Sequence, residues 1–403
     1  MSGRLSKVGP VKVGPVKIGP VKVGPVKAGA IVAVAAFLLV SGLVMLMRPD
    51  GAGDTGAADR CAVDPVAAGE HLTTVSGFAA GRSLPAEAAP VVGAGVVTVS
   101  ASGLCRGGHL WRVNGGSTNG NPSGDQTPNG NMALAVGLQV NTIRLTDFIP
   151  HPGTLGVDEY DQTRWAGVDT MIALAGKNNL KVELDLSTYR NFLESQSSTF
   201  NPYTYDWTPF LTFVANRTNT VTGKRYGSDP TIAFVSFAGE TGAPDQSGSK
   251  ARGVTGPELI AFYDKVMTTW GRLAPGQIRI PGGLFFLTDT TMPWREIFAL
   301  PSCGLPAIHS YSPADESAQP TVDAYVKSLG KPWLLEEFGF GSNNYSSDAD
   351  RAADFNRQYD LALHNGAAGV SWWNINPGSL NPTTGPLTVA AIRARNTDIG
   401  TQN

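Results

Sequence analysis

The chain has 403 residues, of which 42% are hydrophobic and 16% charged, and this composition excludes wholesale disorder. Its formal net charge is −2, but residues 1–27 hold six basic residues and no acidic one, so the rest of the chain has an acidic excess. That excess argues against nucleic-acid binding by the body of the protein. The three cysteines are too few for a disulfide scaffold, and their odd number leaves at least one without a partner in the chain.

Residues 1–27 are dominated by a five-residue repeat close to Lys-Val-Gly-Pro-Val. Gly and Pro in every unit prevent a helix and the lysines repel one another, so we expect an extended, disordered tail. A solvated linker is the simplest interpretation. Contact with anionic lipid headgroups is the alternative.

Residues 28–47 contain no charged residue, and a run of twenty apolar or small residues is long enough to span a bilayer. The run ends in Val-Met-Leu-Met-Arg-Pro, a poor cleavage site, and the basic tail precedes it. This pattern predicts an uncleaved signal-anchor in the cell membrane, with everything after it outside the cell. Cleaved export to a secreted form is the alternative. Residues 48–90 are rich in Ala, Gly, Asp and Pro, and this composition indicates a stalk.

Residues 91–395 are predicted to form one α/β domain. A first β-rich run at 96–102 is expected to be one arm of a hairpin. Eight further runs alternate with amphipathic segments, which indicates a parallel sheet and, by count and length, a (β/α)8 TIM barrel. The predicted strands are 109–115, 141–147, 180–187, 231–240, 278–286, 305–312, 332–339 and 368–376, and the predicted helices are 165–179, 257–273, 321–330 and 348–366. A doubly wound open sheet is the competitor, but its glycine fingerprint is absent from the sequence.

Three of the predicted strands end in residues suited to catalysis. Glu240 ends one strand, Glu336 and Glu337 end another, and His309 and Tyr311 lie two residues apart on a third. In such barrels, catalytic side chains lie at the carboxyl ends of the strands. Two carboxyl groups there suit glycoside cleavage, in which one protonates the leaving oxygen and the other attacks or stabilises the anomeric carbon.

Five segments in this order resemble endo-β-1,4-mannanases of glycoside hydrolase family five, clan A. They are NTIRL (141–145), the stretch from Asn216 to Glu240, HSYS (309–312), LLEEFG (334–339) and GVSWWNIN (369–376). The resemblance covers roughly 95–390 and implies a (β/α)8 barrel with a retaining mechanism.

The resemblance also implies roles for individual residues. Glu240 would be the general acid/base and Glu337 the nucleophile. The residues expected to orient the site or contact substrate are Arg144, His309, Tyr311 and Trp373, with Tyr189 and the neighbouring Arg190 as candidate contacts in strand three, where the sequence departs from the family.

A second departure is Gly239, which stands where the family has an Asn that contacts the sugar 2-hydroxyl. Its absence is expected to open space beside the sugar. For the adjacent pair on strand seven, alternation turns one carboxylate toward the mouth and the other toward the helix layer. The resemblance favours Glu337 at the mouth, so Glu336 would face the helix layer, where a buried carboxylate would need a basic partner.

Other chemistries lack support in the sequence. The absence of a Gly-x-Ser-x-Gly elbow argues against a serine α/β-hydrolase. The five histidines are scattered and form no HExxH motif, so metal catalysis lacks support, and we predict no metal and no cofactor. The sequence favours a retaining hydrolase of β-mannan or β-glucan type, acting on a carbohydrate and needing no obligate protein partner. The alternative is a non-catalytic, surface-displayed carbohydrate-binding barrel.

The cysteines are expected to pair across the bottom of the barrel. Cys105 falls in a turn before the first barrel strand and Cys303 in the loop before the sixth, so a Cys105–Cys303 bond is the prediction. Cys61, in the stalk, would then be free or pair with another chain.

Overall fold

The computed structural model describes residues 61, 95–120, 122, 126–146, 150–155, 160–197, 200–242, 253–284, 287, 291–340, 344–376, 380 and 382–401. The predicted tail (1–27), the predicted anchor (28–47) and all of the predicted stalk (48–90) except Cys61 lie outside these residues. Within the described ranges, no helix is both long and apolar enough to cross a bilayer.

In the part of the chain that is described, eight parallel strands form a nearly closed barrel. Their order in the sheet is β8-β7-β6-β5-β4-β11-β10-β9, and a parallel bridge between Leu284 and Ile308 brings the two ends together. Their bounds are β4 Val113–Asn119, β5 Thr142–Thr146, β6 Lys181–Asp185, β7 Ile232–Ser236, β8 Ile278–Ile280, β9 Ala307–Ser310, β10 Leu334–Phe338 and β11 Gly369–Trp372. Every residue of β5, β6, β7, β9, β10 and β11 is buried, because the sheet is covered inside and out.

Helices follow the strands and pack outside the barrel. Several of them begin at a side-chain cap, such as the capping box of Thr255 and Glu258 and the caps Ser312 and Ser347. The predicted helices correspond to α2, α5, α7 and α8. The helix bounds are α1 Pro128–Gly137, α2 Gln162–Lys177, α3 Ser187–Glu194, α4 Thr208–Asn216, α5 Gly256–Leu273, α6 Trp294–Ala299, α7 Pro313–Ser328, α8 Asp348–His364 and α9 Pro386–Thr401.

A small antiparallel sheet precedes the barrel, made of β1 Val97–Ser100, β2 Gly103–Arg106 and β3 His109–Trp111. The predicted strand 109–115 is therefore divided at Arg112 between this sheet and β4. Leu104 and Trp111 pack into one buried cluster with the first residues of several barrel strands, among them Val113, Ile278 and Leu334. The small sheet thus covers the end of the barrel where the strands begin and leaves their carboxyl ends free.

The predicted Cys105–Cys303 bond is wrong. Cys61 and Cys105 form the disulfide, with their Cα atoms 6.1 Å apart, and Cys303 is a buried free thiol. Side chains alternate along β2, so Leu104 packs against the barrel while Cys105 faces the other way, toward Cys61. Cys303 belongs to the core between barrel and helices, where burial raises the pKa of its thiol to about 11.

Candidate active site

A cleft of about 510 Å³ opens at the carboxyl ends of the barrel strands. Almost every residue that sequence analysis assigned to the site lines it. The lining residues are Arg144, Thr146, Asp185, Ser187, Arg190, Asn191, Gly239, Glu240, His309, Tyr311, Glu337, Gly339, Phe340, Asn344 and Trp373.

Glu240 lies just beyond β7 at the rim of the cleft, with 45% of its side chain exposed. Its Oε1 atom is 3.1 Å from Nδ1 of His309, and its backbone carbonyl accepts a hydrogen bond from Arg190 Nη1 at 2.9 Å. Burial alone would raise the pKa of Glu240. The hydrogen bond and charge of His309, with the charges of Arg144 and Arg190, outweigh burial and lower that pKa. Glu240 is therefore an anion when the cleft is open to water.

Glu337 lies deeper, on β10, and its side chain is 8% exposed. One carboxylate oxygen accepts a hydrogen bond from Arg144 Nη1 and the other from the hydroxyl of Tyr311. These two donors hold the carboxylate in one orientation. An oxygen of Glu337, an oxygen of Glu240 and a ring nitrogen of His309 all lie within 4.8 Å of one another.

The prediction that Glu336 faces the helix layer is wrong. The pairing of β10 with β9 shifts between Leu335 and Glu337, so Glu336 sits in a bulge that interrupts the alternation of side chains. Glu336 is fully buried inside the barrel, with Oε2 3.1 Å from Nε2 of His309 and Oε1 3.7 Å from Nε of Arg144. These are the basic partners that a buried carboxylate requires.

His309 lies between two carboxylates, with Nδ1 toward Glu240 and Nε2 toward Glu336. Burial would lower the pKa of His309, but the charge of Glu337 and the hydrogen bonds to Glu240 and Glu336 raise it to about 10. A neutral imidazole could donate to only one of the two, so His309 is an imidazolium at neutral pH. Glu240, His309 and Glu337 have the spacing of metal ligands. Both ring nitrogens of His309 already lie 3.1 Å from carboxylate oxygens, so a metal would have to displace the contact with Glu240 or the contact with Glu336.

Arg144, on β5, is the cation at the centre of the cluster. Its Nη2 lies 2.5 Å from Oδ2 of Asp185, and its Nη1 contacts Glu337 and, at 3.2 Å, the hydroxyl of Ser117. Burial would lower the pKa of Arg144, but the charges of Asp185 and the surrounding glutamates raise it well above its ordinary value. Sequence analysis missed Asp185, although Glu183 and Asp185 stand two apart at the end of a predicted strand and so share a face.

Gly239 does not open space beside Glu240. Its φ is +59°, and a Cβ atom placed there would lie 2.7 Å from Cβ of Ser187 and 3.5 Å from Nη1 of Arg190. Arg190 also donates to the carbonyl oxygen of Ala238. The region beside the acid/base candidate is therefore filled by Ser187 and Arg190, which enter from the start of α3.

Tyr189 and Trp373 differ in where the fold places them. Trp373 follows β11 and lines the cleft, half-buried. Tyr189 is 4% exposed and stacks on Phe210 in the core, with ring centroids 4.0 Å apart. The prediction of a substrate contact at Tyr189 is wrong. Successive residues of a helix point about 100° apart, so the ring of Tyr189 lies in the core while its neighbour Arg190 lines the cleft.

No protein-family model matches the chain, and no curated protein matches it in sequence. Solved structures match its fold. An endo-β-1,4-mannanase from Thermotoga petrophila superposes with a TM-score of 0.59 at 17% identity, covering 73% of this chain and 78% of that one. An endo-1,4-β-mannanase from Rhizomucor miehei gives 0.61 at 15% identity, covering 76% and 99%. A glucosidase from Croceicoccus marinus gives 0.52 at 13% identity, covering 75% and 69%. The resemblance to endo-β-1,4-mannanases is thus confirmed at the level of the fold.

Proposed function

We propose that this protein is a retaining glycoside hydrolase that cleaves β-linked oligosaccharides or polysaccharides of mannan or glucan type. The observation that carries the proposal is the short separation of two carboxylates, with oxygens of Glu240 and Glu337 within 4.8 Å. Retaining enzymes place their two carboxyl groups about 5–5.5 Å apart, whereas inverting enzymes need about 6.5–9.5 Å to admit a water molecule.

Glu337 is the proposed nucleophile. Arg144 and Tyr311 hold its two oxygens, so one oxygen can attack the anomeric carbon without first reorienting. The attack forms a glycosyl ester and breaks the glycosidic bond.

Glu240 is the proposed acid/base, because it is the more exposed carboxylate and reaches the rim where a leaving group departs. It is an anion at rest, so its proton comes from His309 across the 3.1 Å contact, which leaves both groups neutral. Glu240 then protonates the leaving oxygen. In the second step it removes a proton from the water that hydrolyses the ester, and the proton returns to His309.

The substrate assignment depends on the cleft and on the fold. Trp373 lines the cleft, and Phe340 lies beside Tyr311 with 40% of its surface exposed, so each offers an apolar face to a sugar ring. Two of the structural neighbours are named as endo-β-1,4-mannanases, which supports a β-mannan or related glucan.

The proposed location is the outer face of the cell membrane, with residues 28–47 as the anchor. The Cys61–Cys105 bond supports an oxidising compartment, because disulfides persist outside the cytosol. A secreted form with the segment removed remains the alternative.

A non-catalytic carbohydrate-binding barrel is the second candidate, and Gly239 is the observation that favours it, since the family's Asn side chain is missing there. A panel of aryl β-glycosides, mannans and glucans separates the two. The full chain should release reducing sugar from at least one of them, and Glu337→Gln should bind the same sugar without turnover. Binding without release by both proteins would favour the binding module.

A further inference from the structure

Glu183 and Glu336 form a buried acid pair beneath the cleft. Glu183, on β6, is 1% exposed and Glu336, on β10, is fully buried. Their Oε1 atoms lie 3.5 and 3.7 Å from the same atom, Nε of Arg144. Both Oε1 atoms, and Arg144 Nε itself, lack a hydrogen-bond partner among the residues that the structure describes.

The charges around this pair do not balance if every acid is ionised. Among the described residues in the buried interior, two cations, Arg144 and His309, face four carboxyl groups. The carboxyl groups belong to Glu183, Asp185, Glu336 and Glu337. The remaining strands add little, because β4, β7 and β11 contain no titratable residue and Arg279 of β8 donates to the carbonyl of Ser302. A buried charge without a partner is strongly disfavoured, so at least one acid should hold a proton, which reduces the excess of two negative charges.

Geometry identifies that acid as Glu183. Asp185 contacts Arg144 at 2.5 Å, Glu337 contacts Arg144 and Tyr311, and Glu336 contacts His309 at 3.1 Å. Glu183 has the weakest cationic contact of the four, at 3.5 Å from Arg144.

We propose that Glu183 is protonated at neutral pH and donates its O–H to Glu336, joining the two Oε1 atoms that otherwise lack partners. Glu183 is then a positioning residue. Its hydrogen bond fixes the carboxylate of Glu336, and that carboxylate pairs with the imidazolium of His309. The imidazolium in turn donates a hydrogen bond to Glu240. The protonation state is independent of the proposed function. Only its effect on turnover depends on that function.

The electrostatics of the two acids support this assignment. Burial raises the pKa of Glu183 well above its ordinary value, and the charge of Glu336 and the hydrogen bond to it raise that pKa further. Burial would also raise the pKa of Glu336, but Arg144, His309 and the hydrogen bond with Glu183 lower it to about 2. Tyr263, on α5, also interacts electrostatically with Glu336. Its phenol stays neutral because burial raises its pKa well above the ordinary value.

The direct test is infrared spectroscopy of the full chain at neutral pH, comparing wild type with Glu183→Gln. We expect wild type to show the carbonyl stretch of a protonated carboxylic acid and Glu183→Gln to lack it. Gln keeps the volume and an N–H donor, so this variant should fold. A spectrum in which the two proteins do not differ in this band would overturn the proposal, whether or not the protein hydrolyses any glycoside.

A second measurement tests the positioning role. Glu183→Met keeps the size but cannot donate, so the carboxylate of Glu336 loses a donor, becomes more basic and attracts the His309 proton more strongly. In NMR titrations of labelled histidines, His309 should titrate at least about one pH unit higher in Glu183→Met, a tenfold change in its ionisation, and near its wild-type value in Glu183→Gln. The alkaline limb of kcat/KM should move by the same amount. Equal titration of His309 in wild type and both variants would overturn the positioning role.

Discussion

Nδ1 of His309 lies 3.1 Å from Oε1 of Glu240, while the other ring nitrogen of His309 contacts Glu336. The imidazolium therefore couples the exposed carboxylate at the rim to a fully buried one beneath it. This coupling explains how Glu240 can be an anion at rest and still have a proton within reach.

The first prediction concerns stability and pH. The pKa of His309 is raised from its ordinary 6.5 to about 10 in the folded protein. A raised pKa means that the imidazolium contacts stabilise the fold fully below about pH 6.5, and that this contribution is lost as pH rises toward 10. The difference in free energy of unfolding between wild type and His309→Asn, from urea titrations, should therefore shrink from pH 6.5 to 10. A difference that stays constant over that range would contradict the assignment of charge to His309.

The second prediction concerns the donor to Glu337. Tyr311→Phe removes one hydroxyl that hydrogen-bonds the carboxylate, and a hydrogen bond to a charged group contributes about 1.5–3 kcal/mol. If that bond acts mainly in the transition state, kcat should fall about 10- to 100-fold. The bond is also present in the free protein, so the variant should lose some thermal stability, while circular dichroism should show an unchanged fold because the ring remains. Unchanged kcat on an aryl glycoside would remove Tyr311 from the proposed mechanism.

The third prediction concerns Gly239. Introducing the Asn that the resemblance would place at this position, as Gly239→Asn, should not raise activity, because the new Cβ would meet Ser187 Cβ at 2.7 Å. Asn tolerates a positive φ better than most residues, so the collision rather than the backbone is the main cost. The double variant Ser187→Gly/Gly239→Asn removes that contact and should be more stable than the single variant. Equal melting temperatures for the two would show that Ser187 is not the obstacle.

The fourth prediction concerns the disulfide. Peptide mapping should find Cys61 joined to Cys105, and Cys303 should react with thiol reagents only after unfolding. The bond closes a loop with a sequence separation of 44, for which chain entropy predicts a loss of about 3–4 kcal/mol in Cys61→Ser. Cys303→Ala leaves the bond intact and is the matched control. A Cys61→Ser variant as stable as wild type would show that the bond adds nothing to the fold.

The carboxyl ends of the strands could be predicted from the sequence because a run of apolar residues marks each strand and the polar residue that follows marks its end. Apolar runs that finish in Glu240, His309 and Glu337 place those side chains at one end of a parallel barrel whatever the helices do. The predicted orientations of Glu336 and Tyr189 were wrong because each side chain's direction depends on a shift of one residue. A bulge in β10 turned Glu336 inward, and one step along α3 separated Tyr189 in the core from Arg190 in the cleft.

The cysteine pairing and the role of Gly239 needed tertiary contacts that no local pattern contains. Cys105 could be placed near the bottom of the barrel from its position in the chain, but the face of β2 from which it projects could not. The crowding around Gly239 likewise comes from distant parts of the chain, because a Cβ there would meet Ser187 and a Cβ at Gly282 would meet the backbone of Gly239.

The central claim is that Glu240 and Glu337 act as a retaining pair. The most direct measurement is the anomeric configuration of the first sugar released from a β-glycoside, followed by proton NMR before mutarotation. Because both displacements invert the anomeric centre, the first product of a retaining pair should be the β-anomer. An α-anomer as the first product would show that a water molecule, rather than Glu337, attacks the anomeric carbon, and Glu240 and Glu337 would not be a retaining pair.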